Sequence, residues 1–392
     1  MGAVLLAGVV AFKTLQGGLQ FAVARAVAAA PSQPAAIGAS STWMPRGFGW
    51  PNQPYSTQDS SHTATYGSTR DVSSKECPSW FWEYVSFHAT NRGQPNAKYL
   101  IAVDDRYGLG DRLNGALAML RLAQALNRVL LLRWESPYPL EEFFEPAGVL
   151  DWTTQGIEIE DGPTMSFKDP PGWKSLARHM QNGILQAMDD TFIFIKTNME
   201  LHRKCQGCPN VTSQWSEEAA CLWQNMFRPV EPILQQARAQ LQQLYPGDAH
   251  VRPYVAVHLR LGGLEGEEGG PGYERGKSPL ENFLASVRCA ARLASKGSID
   301  LDETPALVVT DNHNLRQVLQ EQHFRRIVTP EGLPVHVGKA KDQSLEAHRS
   351  TVVDMVLLAW SECLATSKSG FSLHAWLYGG AKPCMLPWKK CL

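Results

Sequence analysis

Val255-Ala-Val-His-Leu-Arg260 is an apolar, β-branched run that ends in a histidine and an arginine, two residues apart. It predicts a buried strand over 254–259 that delivers Arg260 to its C-terminal end, next to a glycine-rich loop over 262–276. In an open α/β sheet, that end of a strand is where phosphorylated ligands meet the fold. A guanidinium fork grips two phosphate oxygens at once, and His258 is placed to hydrogen-bond a sugar or a phosphate. The plain alternative for Arg260 is a structural salt bridge.

Two segments downstream repeat the pattern. Leu307-Val-Val-Thr-Asp311 reads as a second buried strand, followed by a helix from about residue 315. The Asp311 carboxylate either accepts hydrogen bonds from ribose or base groups or caps that helix. Residues 351–359 read as an apolar helix carrying Asp354. The short strand Cys363-Leu-Ala-Thr366 then leads through Ser367-Lys368-Ser369-Gly370-Phe371-Ser372 into a helix over 373–378. Hydroxyls and backbone N–H groups at a helix N-terminus make an anion site, and Lys368 adds charge. An ordinary N-cap at Ser369 or Ser372 is the competing use.

The first half carries its own unit. Tyr99-Leu-Ile-Ala-Val103 reads as a buried strand. The turn Asp104-Asp105-Arg106-Tyr107-Gly108-Leu109-Gly110-Asp111-Arg112 follows, and then a helix with Leu113, Ala116, Leu117, Leu120 and Ala123 in step. Val129-Leu-Leu-Leu-Arg-Trp134 is the next parallel strand, giving a β-loop-α-β unit of the Rossmann kind. Gly108 and Gly110 let a ligand approach the backbone. The glycine spacing runs on to Gly115 and does not match a dinucleotide fingerprint. Asp104, Asp105 and Asp111 are candidates for a general base, or else for local ion pairs and helix caps.

Composition narrows the class. The chain has 392 residues, 44% hydrophobic and 19% charged, enough for two α/β domains. Its net charge of −1, with no basic block, excludes an ordinary nucleic-acid binder. Any anion is therefore held by a few placed groups. The eight cysteines permit disulfides. Cys205-Gln-Gly-Cys208 reads as a lumenal loop disulfide drawing also on Cys221, rather than as a redox or zinc pair, and no metal site is expected. Asn210-Val-Thr212 beside it is a glycosylation sequon.

Residues 1–30 hold two short apolar runs, at 3–12 and 19–30, ending in small residues before Pro31. They read as a signal peptide or a short membrane anchor for the Golgi or endoplasmic reticulum lumen, with an organellar transit peptide as the alternative. Residues 31–75 have stem or linker composition. Trp80, Phe81, Trp82, Tyr84 and Phe87 open the folded part as a packing helix. The domain reading is then 76–250 for an acceptor domain and 251–392 for a donor domain.

The order His258-Leu-Arg260, Thr310-Asp311, then Asp354 with Ser367-Lys-Ser-Gly-Phe-Ser372 resembles the C-terminal motifs of the fucosyltransferase superfamily, which includes α1,2-, α1,6- and protein O-fucosyltransferases. Gly108-Leu-Gly-Asp-Arg-Leu-Asn114 resembles that family's N-terminal opening, with Asp111 in an asparagine position. Leu261 stands where many members carry a second arginine. The resemblance implies an α/β fold of GT-B type, two Rossmann-like domains facing a central cleft. It implies GDP-fucose as donor substrate, no further cofactor, no metal, and inversion at the anomeric carbon. Arg260 would hold the β-phosphate and the 367–372 turn the phosphates. His258, Asp311 and Asp354 would surround ribose and guanine. A glycan or protein hydroxyl would be the acceptor. Another nucleotide sugar as donor, or a non-catalytic glycan- or protein-binding role, are the competing readings.

Overall fold

The computed structural model describes residues 77–103, 107–199, 215–244, 254–260, 306–321, 327–332, 335, 337, 344–367, 369–382 and 384–387. The 1–75 segment, Asp104, Asp105, Arg106, Cys205, Cys208, the sequon, the 262–276 loop and Lys368 lie outside the described residues.

Helix α1 (Ser79–Asn91) opens the folded part and buries Phe81, Tyr84 and His88. Strand β1 (Tyr99–Val103) follows, then helix α2 (Leu109–Ala125) and strand β2 (Val129–Arg133). A short antiparallel ribbon pairs β3 (Phe144–Pro146) with β6 (Phe227–Pro229). Between them lie β4 (Thr164–Phe167), α3 (Asp169–Gln181), β5 (Phe192–Thr197) and α4 (Trp215–Met226). The first sheet is parallel throughout, in the order β2-β1-β5-β4.

Helix α5 (Glu231–Leu244) leads to β7 (Val255–Leu259), β8 (Ala306–Thr310), α6 (His313–Glu321) and β9 (Ile327–Val328). Helix α7 (Leu345–Trp360), β10 (Cys363–Thr366), α8 (Gly370–Tyr378) and β11 (Met385–Pro387) complete the second sheet. It too is parallel, in the order β11-β10-β7-β8-β9. Parallel strands covered on both faces read as unbroken apolar runs, and every residue of β7 and β8 is buried. The α/β class with two parallel, Rossmann-like sheets is the one expected from the sequence.

Helix α2 is buried on nearly every side, which explains its run of Ala, Leu and Gly. It packs against the first sheet on one side and α8 on another. A Cβ on Gly115 would fall 2.1 Å from the Thr197 carbonyl oxygen, so only glycine lets the helix press onto the end of β5. The helix stops in a Schellman turn. Asn127 takes the left-handed conformation (φ 50°), and the Arg128 N–H donates to the Ala123 carbonyl at 3.0 Å.

Helices α4 and α5, grouped with the first domain by chain order, pack respectively on α8 and α7 of the second half. Chain order cannot show such a crossing, because the apolar faces of α4 and α5 have no partner label in the sequence. Cys221 differs from expectation as well: it is bonded to Cys77 at a Cα–Cα distance of 5.5 Å, fastening the chain just ahead of α1 to α4. Cys363 and Cys384 form a second disulfide, beside the β10–β11 pair.

Candidate functional site

Ligands of open α/β sheets sit outside the strand C-termini, at the place where connections from neighbouring strands leave in opposite directions. In the second sheet this place lies between β7 and β10, and in the first sheet β1 occupies a central position beside β5. The loops leaving β1 and β10 enter α2 and α8. The two helix N-termini meet: a Cβ on Gly110 would lie 2.5 Å from the Gly370 carbonyl carbon and 2.6 Å from the Phe371 nitrogen. Neither N-terminus has a side-chain cap. Gly108 and Ser369 stand at the cap positions without a capping bond. Two positive helix ends thus converge at one point, a favourable place for an anion.

The rest of the predicted donor site forms the frame around that point. Ser367 locks β7 to β10: its Oγ accepts the Arg260 N–H at 2.7 Å, and its own N–H donates to the His258 carbonyl at 3.0 Å. Ser372 Oγ hydrogen-bonds His258 Nδ1, and the His258 ring packs on Phe371 with centroids 5.2 Å apart. Burial, reinforced by the nearby Arg260 charge, pushes the His258 pKa down to about 3. That ring is neutral at working pH and acts as a strut rather than a proton carrier. The Arg260 guanidinium lies at the strand exit, with Nη1 2.8 Å from Asp311 Oδ2. Asp311, placed by sequence beside ribose or base, is buried and faces Arg260.

Asp354 does not join this group. Both its oxygens are taken by Arg316 of α6, at 2.7 and 3.1 Å, and the pair is buried. Burial raises the Asp354 pKa and the Arg316 fork pulls it back. With 1% exposure it offers a ligand no direct contact, and it braces α6 against α7 instead. Asp111 lies in the first turn of α2, partly exposed, on the rim of the helix meeting point. Ser369, Gly370 and Phe371 are partly exposed there too.

The sequence reading missed a second group, at the C-terminal edge of the first sheet. Asp169 adopts φ 56°, a left-handed conformation that costs a non-glycine residue energy. Its N–H donates to Asn198 Oδ1, and Asn198 Nδ2 returns a bond to Asp169 Oδ1, both at 3.0 Å. Tyr107 Oη donates to Asp169 Oδ2 at 3.0 Å, and Trp173 Nε1 donates to Asn198 Oδ1 at 3.1 Å. Burial and the adjacent carboxylate push the Tyr107 pKa up to about 12, so it stays a donor. Tyr107 directly precedes Gly108, which puts this exposed carboxylate next to the α2 N-terminus. Two prolines just after Asp169, a helix-start signal, were the legible trace. Among the described residues, no three His, Cys, Asp or Glu side chains gather as metal ligands.

No protein-family model and no curated protein matches the chain. Solved structures similar to it include a mutant of Arabidopsis thaliana FUT1 in complex with GDP. That likeness has 11% identity and TM-score 0.43, covering 77% of this chain and 73% of the other. NodZ α-1,6-fucosyltransferase soaked with GDP-fucose shows 16% identity and TM-score 0.46 over 72% and 92% of the two chains. POFUT1 in complex with GDP-fucose shows 13% identity and TM-score 0.44 over 75% and 98%. At such identities and scores, the functional reading rests on this chain's own residues.

Proposed function

We propose that the chain is a glycosyltransferase that takes a nucleoside-diphosphate sugar, GDP-fucose, and transfers the sugar to a hydroxyl of a glycan or a protein. The observation that carries this is the meeting of two uncapped helix N-termini at Gly110 and Gly370, with Arg260 at the neighbouring strand exit. Backbone N–H groups from both halves then face one diphosphate, and Arg260 turns its fork toward the same charge. Asp311 orients that fork, Ser367 fixes the backbone from which it extends, and His258 holds Ser372 and the α8 entrance.

In the reaction, the acceptor oxygen bonds to the anomeric carbon from the face opposite the diphosphate. The bond from that carbon to the diphosphate oxygen breaks, and its electron pair leaves on the nucleotide. The configuration inverts. Negative charge grows on the leaving group in the transition state, where Arg260 and the helix ends act most strongly. No metal is assigned a part. The acceptor proton passes to a carboxylate at the first-sheet edge. Asp111 lies there, as does the exposed Asp169 beside Tyr107; Asp104 and Asp105 are the other candidates. We place the chain in the lumen of the endoplasmic reticulum or Golgi. The two disulfides suit an oxidising compartment, and residues 1–30 supply either a signal peptide or an anchor.

Turnover of GDP-fucose, with UDP- and ADP-sugars as comparison, tests the reading. GDP-fucose is expected to raise the melting temperature and to be consumed when acceptor is present. Arg260→Ala is expected to lower kcat by roughly 10²–10³-fold. An unchanged rate in that variant removes the role given to Arg260. Binding of no nucleotide sugar leaves the glycan- or protein-binding reading.

A further inference from the structure

Asn114 lies one turn inside α2 and is 5% exposed. Its amide oxygen faces His374 of α8, with Nε2 2.9 Å away. The other ring nitrogen, Nδ1, accepts from Trp223 Nε1 of α4 at 3.1 Å. Indole N–H is a donor only, so His374 Nδ1 is the acceptor and the ring proton sits on Nε2. That proton goes to Asn114 Oδ1, which fixes which end of the amide is oxygen. Trp223 and His374, both fully buried, therefore set the amide's orientation from two residues away.

The other end, Nδ2, is buried and has no hydrogen-bond partner among the described residues. Buried amide donors are almost always paired in native proteins, because leaving one unmade is costly. Nδ2 points at the helix meeting point: it lies 3.8 Å from where a Cβ on Gly370 would stand. The same Cβ would be 3.6 Å from the Gly110 carbonyl carbon. These are ordinary contacts, so protein packing alone would accept a side chain at 370. At 110 it would not, since a Cβ there runs into the Gly370 backbone.

We infer that Asn114 is a binding residue of the anion site. Its Nδ2 donates to a phosphoryl oxygen of the nucleoside diphosphate, and glycine at 370 puts no Cβ between Nδ2 and that oxygen. His374 and Trp223 are positioning residues that hold the amide with its N–H groups toward the anion. Reaching Nδ2 takes a slight parting of α2 and α8 at Gly110 and Gly370, where backbone alone meets backbone. This assignment rests on the proposed nucleotide-sugar reading and adds to it a neutral donor from the first half of the chain.

The test is calorimetric titration of GDP, inorganic pyrophosphate and guanosine into the full chain. Asn114→Asp keeps an oxygen facing His374 and replaces the donor with an acceptor. It is expected to weaken GDP and pyrophosphate binding at least tenfold and to leave guanosine binding unchanged. Gly370→Ala meets only ordinary contacts and keeps the melting temperature. It is expected to weaken GDP binding several-fold by covering Nδ2, and it carries the test if the aspartate variant does not fold. Wild-type binding of GDP with both variants unchanged overturns the role of Asn114 alone. A wild-type chain that binds neither GDP nor pyrophosphate overturns the nucleotide-sugar reading, and this assignment with it.

Discussion

The backbone of Gly110 presses so closely on the backbone of Gly370 that a Cβ on Gly110 would lie 2.5 Å from the Gly370 carbonyl carbon. The contact joins the first turns of α2 and α8, one from each half of the chain. Gly110→Ala is expected to push these turns apart at a cost of about 1–3 kcal/mol. Helix propensity alone would favour alanine by roughly 1 kcal/mol, so a net loss of stability isolates the steric term. Chemical denaturation of the two proteins measures it, and GDP titration is expected to show weakened binding in the variant.

Asp169 holds a left-handed backbone and offers an exposed carboxylate beside the α2 entrance. Asp169→Asn suits that conformation and keeps an oxygen for Asn198, changing mainly the charge. The expected result for a proton acceptor is a fall of roughly 10²-fold or more in kcat, with GDP affinity unchanged. Steady-state kinetics with the acceptor varied would show it, and an unchanged kcat would place Asp169 elsewhere in the reaction.

The Arg316–Asp354 pair braces α6 against α7 from inside the core. Arg316→Met alone leaves a buried carboxylate without its fork and is expected to cost about 3–5 kcal/mol. Combining it with Asp354→Leu is expected to restore most of that loss, since neither charge then remains to be desolvated. Urea denaturation of the single and double variants checks both statements. A double variant no more stable than the single one would assign Asp354 a role outside the core.

His258 gives a pH signature. Its folded pKa is lowered to about 3, against 6.5 when unfolded. Below pH 6.5 the unfolded chain takes up a proton that the folded chain refuses, so stability is present above 6.5 and falls as the pH drops toward 3. The slope approaches about 1.4 kcal/mol per pH unit, or about 2 kcal/mol lost by pH 5. His88 and His348, also held low by burial, act in the same direction. Denaturation of wild type and His258→Gln at pH 7.5 and 5.0 is expected to show the larger drop in wild type.

Much of the scaffold was legible because buried parallel strands announce themselves. The apolar runs at 99–103 and 363–366 are strands with those limits, and the run expected over 254–259 is a strand that begins one residue later, at Val255. Helix starts were harder. Helix α8 begins at Gly370 rather than 373, and α7 at Leu345 rather than 351, because their first turns carry polar or small residues outside the apolar rhythm. In the site, residue types were readable and their directions were not. Ser367, Ser372, His258, Asp311 and Asp354 look alike in the sequence as polar groups available to a ligand, yet each spends a contact on the frame. Which way a hydroxyl or carboxylate turns depends on neighbours far along the chain, as with Asp354 and α6. Asn114 and Asp169 drew no role for the same reason: their partners, His374 and Asn198, stand 260 and 29 residues away.

The Cys77–Cys221 bond has a mechanical consequence. Cys77 stands where the described fold begins, and its covalent partner lies in α4, a helix packed on α8. A pull on the preceding 76 residues is thus carried through sulfur directly to the middle of the chain. Helix α1 is spared from being peeled off turn by turn. Tension applied at that end would have to break a covalent bond, or dislodge α4, before it could disturb the helices that meet at Gly110 and Gly370.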